Sequence, residues 1–319
     1  MLKMHSLSTL VLILFAFVLS NGVSARPSDW QASPLKVNFT EIYEFARVAN
    51  DSYNNPNTVR DRHPGVSWVA TPGHTNVLYF IKEIPSKRTQ IIAIRGTVDS
   101  KNWSLDMDAH GVIDKKTGIL SHRGFNTVAG VLYRDLKKRL KRGYKIYLAG
   151  HSLGGAAAVI LATYLDRDGY KIAGVYTFGQ PKVTDRKGAK RYSYLPVLRI
   201  VYQNDIVPTF PDKTQGNSVK FAHIGPAMIL LSGPYYSTLE NGRSYKKAAG
   251  KFRNTWFSSS VPDHKMKAYL KSINQKRSGA KYVPFKSREK YIVRNRPGRG
   301  GHDTLPGIKR KQNFGSSGR

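Results

Sequence analysis

Residues 144–165 read Tyr-Lys-Ile-Tyr-Leu-Ala-Gly-His-Ser-Leu-Gly-Gly-Ala-Ala-Ala-Val-Ile-Leu-Ala-Thr-Tyr-Leu. An apolar run of strand type (144–149) leads into Gly150-His151-Ser152-Leu153-Gly154, and an alanine-rich helical stretch (153–165) follows. The pentapeptide fits G-x-S-x-G, and the strand before it and helix after it supply the context of a nucleophile elbow. A sharp strand-to-helix turn strains the serine backbone and leaves no room for side chains around it, hence the glycines. The helix that starts there turns its free N–H groups and positive dipole end toward the serine, where an oxyanion would form. The competing interpretation, an inert serine in a glycine-rich turn, does not explain this flanking pattern.

A serine hydroxyl needs a base to take its proton and an acid to orient that base. In folds built around such an elbow the chain order is Ser, acid, His. Asp205 follows the apolar run 197–202, at the carboxyl end of a strand, where parallel sheets gather functional groups. Asp166 and Asp168 sit at a helix end and Asp185 in a lysine-rich loop, so each reads as a surface charge. Three histidines lie beyond Asp205. His302 falls in a basic terminal stretch with nothing to hold it, and His223 lies in the short apolar run Phe221-Ala222-His223-Ile224-Gly225, typical of a structural histidine. His264, in a turn before a short helix ending near Leu270, is the favoured base, because such a loop can bring an imidazole over the serine. His151 reads as a packing or hydrogen-bonding residue.

Working outward, residues 38–53 have helical spacing of Phe39, Ile42, Tyr43, Ala46 and Ala49. Strands are expected at 77–84, 90–95, 172–177 and 197–202, with an amphipathic helix at 125–140. Strands alternating with helices predict an α/β fold with a mostly parallel central sheet flanked by helices. From about residue 272 Lys, Arg, Gly and Ser dominate, and Val283, Phe285, Tyr291 and Ile292 form the one apolar cluster, suited to an extra strand or a docked segment. The expected organisation is a signal peptide (1–25), one folded domain (26–275) and a basic, partly disordered tail (276–319). Lys3, the apolar run 10–19 and the small residues Val23-Ser24-Ala25 carry the signal-peptide expectation and hence export to an extracellular or periplasmic location.

Lys and Arg number 52 against 20 Asp and Glu, a formal charge of +32; loss of 1–25 removes only Lys3 and leaves +31. Such a field attracts polyanions or anionic lipid surfaces. The chain has no cysteine, which removes thiolate catalysis, disulfides and cysteine-based zinc sites. Serine chemistry of the kind outlined needs neither a metal nor an organic cofactor.

Seven segments in order resemble the class 3 lipases, the group of the fungal triacylglycerol lipases, an α/β-hydrolase family. They are Ile94-Arg95-Gly96-Thr97, Asn102-Trp103 with Asp106, His122-Arg123-Gly124-Phe125, Gly150 to Gly155, Phe178-Gly179-Gln180-Pro181-Lys182-Val183, Asn204-Asp205 with Val207-Pro208, and Asp263-His264. The resemblance covers about residues 38–270. It implies a Ser152–Asp205–His264 triad, an oxyanion hole formed by Thr97 and Leu153, and a short lid at about 98–108 with Trp103, Leu105 and Met107 on its inner side. It also implies hydrolysis of lipid acyl esters through an acyl-enzyme. Two departures stand out. Fungal members usually carry disulfides, which this chain lacks, and the basic tail lies outside the family pattern. The charged residues Asp99, Lys101, Asp106 and Asp108 in the lid stretch keep phospholipase A1 and feruloyl or other carboxylesterase activity open beside triacylglycerol hydrolysis. A non-enzymatic alternative is a cationic protein that binds polyanions or membranes on a hydrolase scaffold.

Overall fold

The computed structural model describes residues 37–98, 110–203, 205–211, 219–239 and 262–292. The chain enters through helices α1 (Phe39–Asp51) and α2 (Pro56–Arg62), followed by strands β1 (Val66–Ala70), β2 (Tyr79–Ile84) and β3 (Thr89–Ile94). Strands β4 (Gly111–Ile113) and β5 (Leu120–His122) precede helix α3 (Arg123–Leu136). Strand β6 (Lys145–His151), helix α4 (Leu153–Arg167) and strand β7 (Lys171–Phe178) come next. The rest comprises β8 (Thr184–Asp185), α5 (Arg186–Arg191), β9 (Val197–Tyr202), β10 (Phe221–Ala222), β11 (Ala227–Leu230), β12 (Tyr235–Leu239), α6 (Met266–Asn274) and β13 (Lys281–Tyr282).

Among the described residues the main sheet has the order β1-β2-β3-β6-β7-β9-β11-β12-β13. Strands β3, β6, β7, β9 and β11 are mutually parallel, so their carboxyl ends share one edge. Both faces are covered, as a parallel block requires. Helices α3 and α4 bury Phe125, Leu132, Leu136, Val159 and Leu161 against one face, with Ile92, Ile146 and Val175 of the sheet. Helices α1 and α6 bury Phe45, Ala49, Tyr269 and Ile273 against the other, with Ala93, Ala149 and Ile200. Helix α4 carries alanine at 156, 157, 158 and 162 because it is buried nearly all round between α3 and the sheet. Helix α1 starts where the sequence suggests: the Asn38 side chain accepts hydrogen bonds from the Thr40 and Glu41 amides at 3.0 and 3.1 Å.

Residues 276–292 pack onto the sheet as the extra strand or docked segment that Val283, Phe285, Tyr291 and Ile292 suggested. Strand β13 pairs in parallel with β12, and Val283 is buried with Val201, Ile229 and Leu231. Lys276 is buried, its ammonium donating to the Leu231 and Gly233 carbonyls, each at 2.8 Å, and to Ser272. Burial pushes that ammonium down to about 7. A lysine read from sequence as the start of a tail therefore ties the end of α6 to the β11–β12 hairpin. The signal segment, the lid stretch after Val98 and the residues after 292 lie outside the described residues.

Candidate active site

The elbow is built by close approach. A Cβ on Gly150 would stand 2.4 Å from the Gly154 carbonyl group, and one on Gly154 2.2 Å from the Ile94 carbonyl oxygen. Only hydrogen fits at either place, so β3, β6 and the first turn of α4 pack backbone to backbone. Ser152 between them has φ 56° and ψ −127°, a conformation that costs a residue with a side chain about 1–3 kcal/mol. Its amide is held by the Phe178 carbonyl at 2.9 Å, which fixes the turn to β7. Leu153 is the first residue of α4, so its N–H has no acceptor within the helix. Thr97 follows β3, whose last residue Ile94 is in register with Gly150. Both amides named for the oxyanion hole thus belong to segments that flank the serine.

The other two predicted residues converge on it. His264 Nε2 lies 2.9 Å from Ser152 Oγ, and His264 Nδ1 lies 2.8 Å from Asp205 Oδ2. Asp205 extends from the carboxyl end of β9, and its side chain is fully buried. Its carboxylate is saturated with donors. Oδ2 also accepts the Tyr269 hydroxyl at 2.6 Å, and Oδ1 accepts the Val207 amide at 2.9 Å. A fully buried carboxylate with three donors is held in place. His264 keeps 15% of its side chain exposed, and Ser152 is 3% exposed. The arrangement can deprotonate an alcohol and return the proton, with the resulting imidazolium facing a fixed negative charge.

The competing candidates sit elsewhere. Asp166 accepts from Tyr194, Asp168 faces Lys116, and Asp185 caps α5 through the Gly188 amide. His223 donates to the Pro208 carbonyl at 2.8 Å, is buried, and has its basicity pushed well down by that burial and by nearby Arg199. It is the structural histidine its apolar run suggested. His302 lies outside the described residues.

Tyr53 and Tyr269 carried no local signal as site residues, whereas His151 has the hydrogen-bonding role its place in the motif suggested. His151 is buried, and its imidazole is held well below its usual range by that burial and by neighbouring His264. Its Nε2–H donates to the His264 backbone carbonyl at 2.6 Å, and its Nδ1 accepts the Tyr53 hydroxyl at 2.7 Å. Tyr53 in turn accepts from the Gly96 amide, beside Thr97, and burial raises its phenol. One neutral imidazole therefore links the oxyanion strand to the backbone of the base. Tyr269 on α6 fastens the acid. Gly179, at φ +59°, lies where a Cβ would come within 2.7 Å of Asp205 Oδ2 and 3.0 Å of His264 Nδ1. Asp263 adds a further ionisable group at this edge, its carboxyl pushed up to about 6 by burial and by the Asp205 charge.

The parallel sheet with a strained serine between strand and helix defines the α/β-hydrolase fold, and solved structures agree. Lip2 lipase of Yarrowia lipolytica superposes with a TM-score of 0.56 at 21% identity, over 71% of this chain and 91% of that one. Likeness at that identity speaks to the fold alone. Residues 91–215 match the family model described as Lipase (class 3). Secreted mono- and diacylglycerol lipase 1 of Fusarium solani is 26% identical over 176 residues, 50% of this chain and 49% of the relative. Secreted mono- and diacylglycerol lipase A of Penicillium cyclopium is 30% identical over 153 residues, 44% and 48% respectively. The chain thus spans about half the length of the curated relatives it matches.

Proposed function

We propose that the protein is a serine hydrolase that cleaves acyl esters of lipids through an acyl-enzyme. The observation that carries this is the unbroken relay Ser152 Oγ, His264 and Asp205, with spacings of 2.9 and 2.8 Å. Ser152 attacks the ester carbonyl while His264 Nε2 takes its proton. The Thr97 and Leu153 amides stabilise the oxyanion, and removal of one such donor typically costs about 10² to 10³ in rate. His264 returns the proton to the departing alcohol, then activates a water that releases the fatty acid and regenerates Ser152. Triacylglycerols and partial glycerides lead as substrates, supported by the mono- and diacylglycerol lipases among the relatives. Phospholipase A1 activity is the second reading, favoured by the formal charge of +32, which draws the protein to anionic membranes. Export after removal of residues 1–25 fits both, and two relatives are named as secreted.

The test compares hydrolysis of tributyrin, phosphatidylglycerol, a feruloyl ester and p-nitrophenyl esters by the purified protein and by Ser152→Ala. Turnover of a glyceride that the variant loses supports the proposal. Undiminished turnover by Ser152→Ala contradicts it.

A further inference from the structure

A sheet interior offers a cation few partners, and strand β9 places one there. Arg199 is 2% exposed. Its register partners are Thr177 on β7 and Ala227 on β11. Register partners on neighbouring strands project to one face, as do residues two apart along a strand. The side chains that frame Arg199 on the sheet are therefore Thr177, Ala227, Val197 and Val201, none of them an acid. The Thr177 hydroxyl already donates to Gln180 Oε1 at 2.8 Å. Arg199 Nε donates to the Gly225 carbonyl at 3.0 Å, whereas Nη2 is buried without a hydrogen-bond partner among the described residues. No carboxylate among those residues lies within ion-pair distance of Arg199. Burial pushes its guanidinium down to about 9.

Two more buried basic groups belong to the same region. Lys182, 2% exposed, donates from Nζ to the Thr209 carbonyl at 2.7 Å. His223, 3% exposed, donates from Nε2 to the adjacent Pro208 carbonyl at 2.8 Å. Both thus hold the single turn Val207–Thr209 that follows Asp205. Their backbones are joined as well, since the Val183 amide donates to the Ala222 carbonyl at 3.2 Å. Gly225, which holds Arg199 Nε, lies just beyond His223 in the chain. The three side chains are within electrostatic reach of one another: after burial, the charges of Arg199 and then Lys182 push the basicity of His223 down. Its Nδ1 is a second buried atom without a hydrogen-bond partner among the described residues.

Buried cations are ordinarily paired with a carboxylate or surrounded by oxygen atoms. Lys276 takes the second course, with the Leu231, Gly233 and Ser272 carbonyls and the Ser272 hydroxyl around it. Arg199 has the Gly225 carbonyl. A purely space-filling role does not explain it, because an apolar side chain of similar length would fill the space with no charge to desolvate. A water molecule would give Nη2 and Nδ1 a hydrogen-bond partner but would leave the charge uncompensated, and that is the larger cost.

We propose that Arg199, His223 and Lys182 form an interior site for one small monovalent anion of the halide class, with Arg199 Nη2 as its principal donor. Sign and size select the occupant. All three groups are basic, which excludes a metal cation. All three are enclosed, so a polymeric anion or a lipid head group cannot reach them, whereas a halide needs only a few donors and no particular orientation. With Nε2–H committed to Pro208, His223 can face an anion through Nδ1 only as the imidazolium, so the anion and one proton enter together. The charged groups that face His223 are Arg199 from β9 and Lys182 from the stretch after β7, and its own segment 221–226 adds none. Both are cations that oppose the proton until a negative charge arrives. The site stands behind the acid of the triad, because Asp205 Oδ1 holds the Val207 amide of the same turn at 2.9 Å. It does not depend on the esterase reading.

The test has two readouts, neither of them catalytic. Crystals of the full-length protein soaked in sodium bromide should give an anomalous-scattering peak within hydrogen-bond reach of Arg199 Nη2. In solution, sodium chloride replaces sodium gluconate at constant ionic strength, which removes general screening of the +32 charge as a cause, since gluconate is too large to enter. Tm should rise with chloride by about 3 °C or more and then level off, as binding to one site requires. The rise should be larger at pH 6 than at pH 8, because a proton is taken up with the anion. Ala227→Glu sets a carboxylate on the register partner of Arg199, and Arg199→Met removes the cation. Either variant, if folded, should lose both the bromide peak and the chloride dependence, whereas Lys187→Gln, which removes an exposed charge, should keep them. A water at Arg199 Nη2 in place of bromide, equal Tm in chloride and gluconate, or a chloride effect of the same size at both pH values would overturn the proposal. So would a chloride effect that survives in Arg199→Met or Ala227→Glu. A bromide peak with no chloride effect in solution would mark binding at crystal concentration only, and would overturn it too.

Discussion

Replacing Tyr53 by Phe removes one oxygen atom about which the structure makes a double demand. That hydroxyl donates to His151 Nδ1 at 2.7 Å and accepts from the Gly96 amide. Without it, a buried ring nitrogen and a backbone N–H beside the oxyanion strand both lose their partners. Each loss costs about 1–3 kcal/mol, so about 3 kcal/mol in total is a fair expectation. In a domain of this size that lowers Tm by roughly 6–12 °C. The second consequence is catalytic. His151 must stay in the tautomer that carries its proton on Nε2, because that N–H holds the His264 carbonyl at 2.6 Å. With Nδ1 unpartnered that tautomer is no longer enforced, and the backbone of the base loses its tether. A misplacement on the order of 1 Å costs roughly 10²-fold, so kcat should fall about 10- to 100-fold while KM for a small ester moves less than about threefold. Steady-state kinetics on p-nitrophenyl butyrate and thermal melting of the same preparation measure both quantities. A Tm that falls while kcat stays within about twofold of wild type would refute the claim that the tether positions the base. No change in either would refute the hydrogen-bond accounting as well.

Two further outcomes follow from the same edge of the sheet. Gly179→Ala should leave a folded protein with activity reduced about 10²-fold or more, because its Cβ would intrude within 2.7 Å of Asp205 Oδ2; near wild-type kcat would contradict the geometry. Asp263, with its carboxyl raised to about 6 from the ordinary 3.8, adds stability that is present in full below 3.8 and is lost as pH rises through 6. Asp263→Asn should therefore raise Tm by about 2–4 °C at pH 8 and leave it unchanged near pH 3.5, and an equal shift at both would count against burial as the cause.

The sequence disclosed the elbow because its demands are local. Glycine is required within two residues of Ser152, strand periodicity before it and buried alanine after it, and all of that lies inside residues 144–165. Asp205 was legible for a related reason, since the end of the uninterrupted apolar strand β9 is a recognisable place. His264 was chosen by elimination and by the order of the chain, and its distance of 112 positions from Ser152 carries no local pattern. Tyr53 and Tyr269 were invisible as site residues. Each is a tyrosine at helical spacing among apolar neighbours, and only the folded chain shows that one hydroxyl reaches His151 and the other Asp205. The docked segment after residue 275 was legible in its apolar cluster, but the part its lysine plays was not. A segment rich in lysine and arginine reads as a tail, but Lys276 is satisfied by carbonyl groups and Val283 fills a pocket beside β12. Strands β11 and β12 went unpredicted because a run as short as Ala227–Leu230, buried throughout, gives no alternation to detect.

The account turns on whether His264 activates Ser152. Treatment of the native protein with a fluorophosphonate, followed by peptide mapping of the adduct, measures that directly. The adduct should appear on the peptide containing Ser152 and be lost in both Ser152→Ala and His264→Ala. Labelling at another residue, or labelling of Ser152 that persists at full rate in His264→Ala, would contradict it.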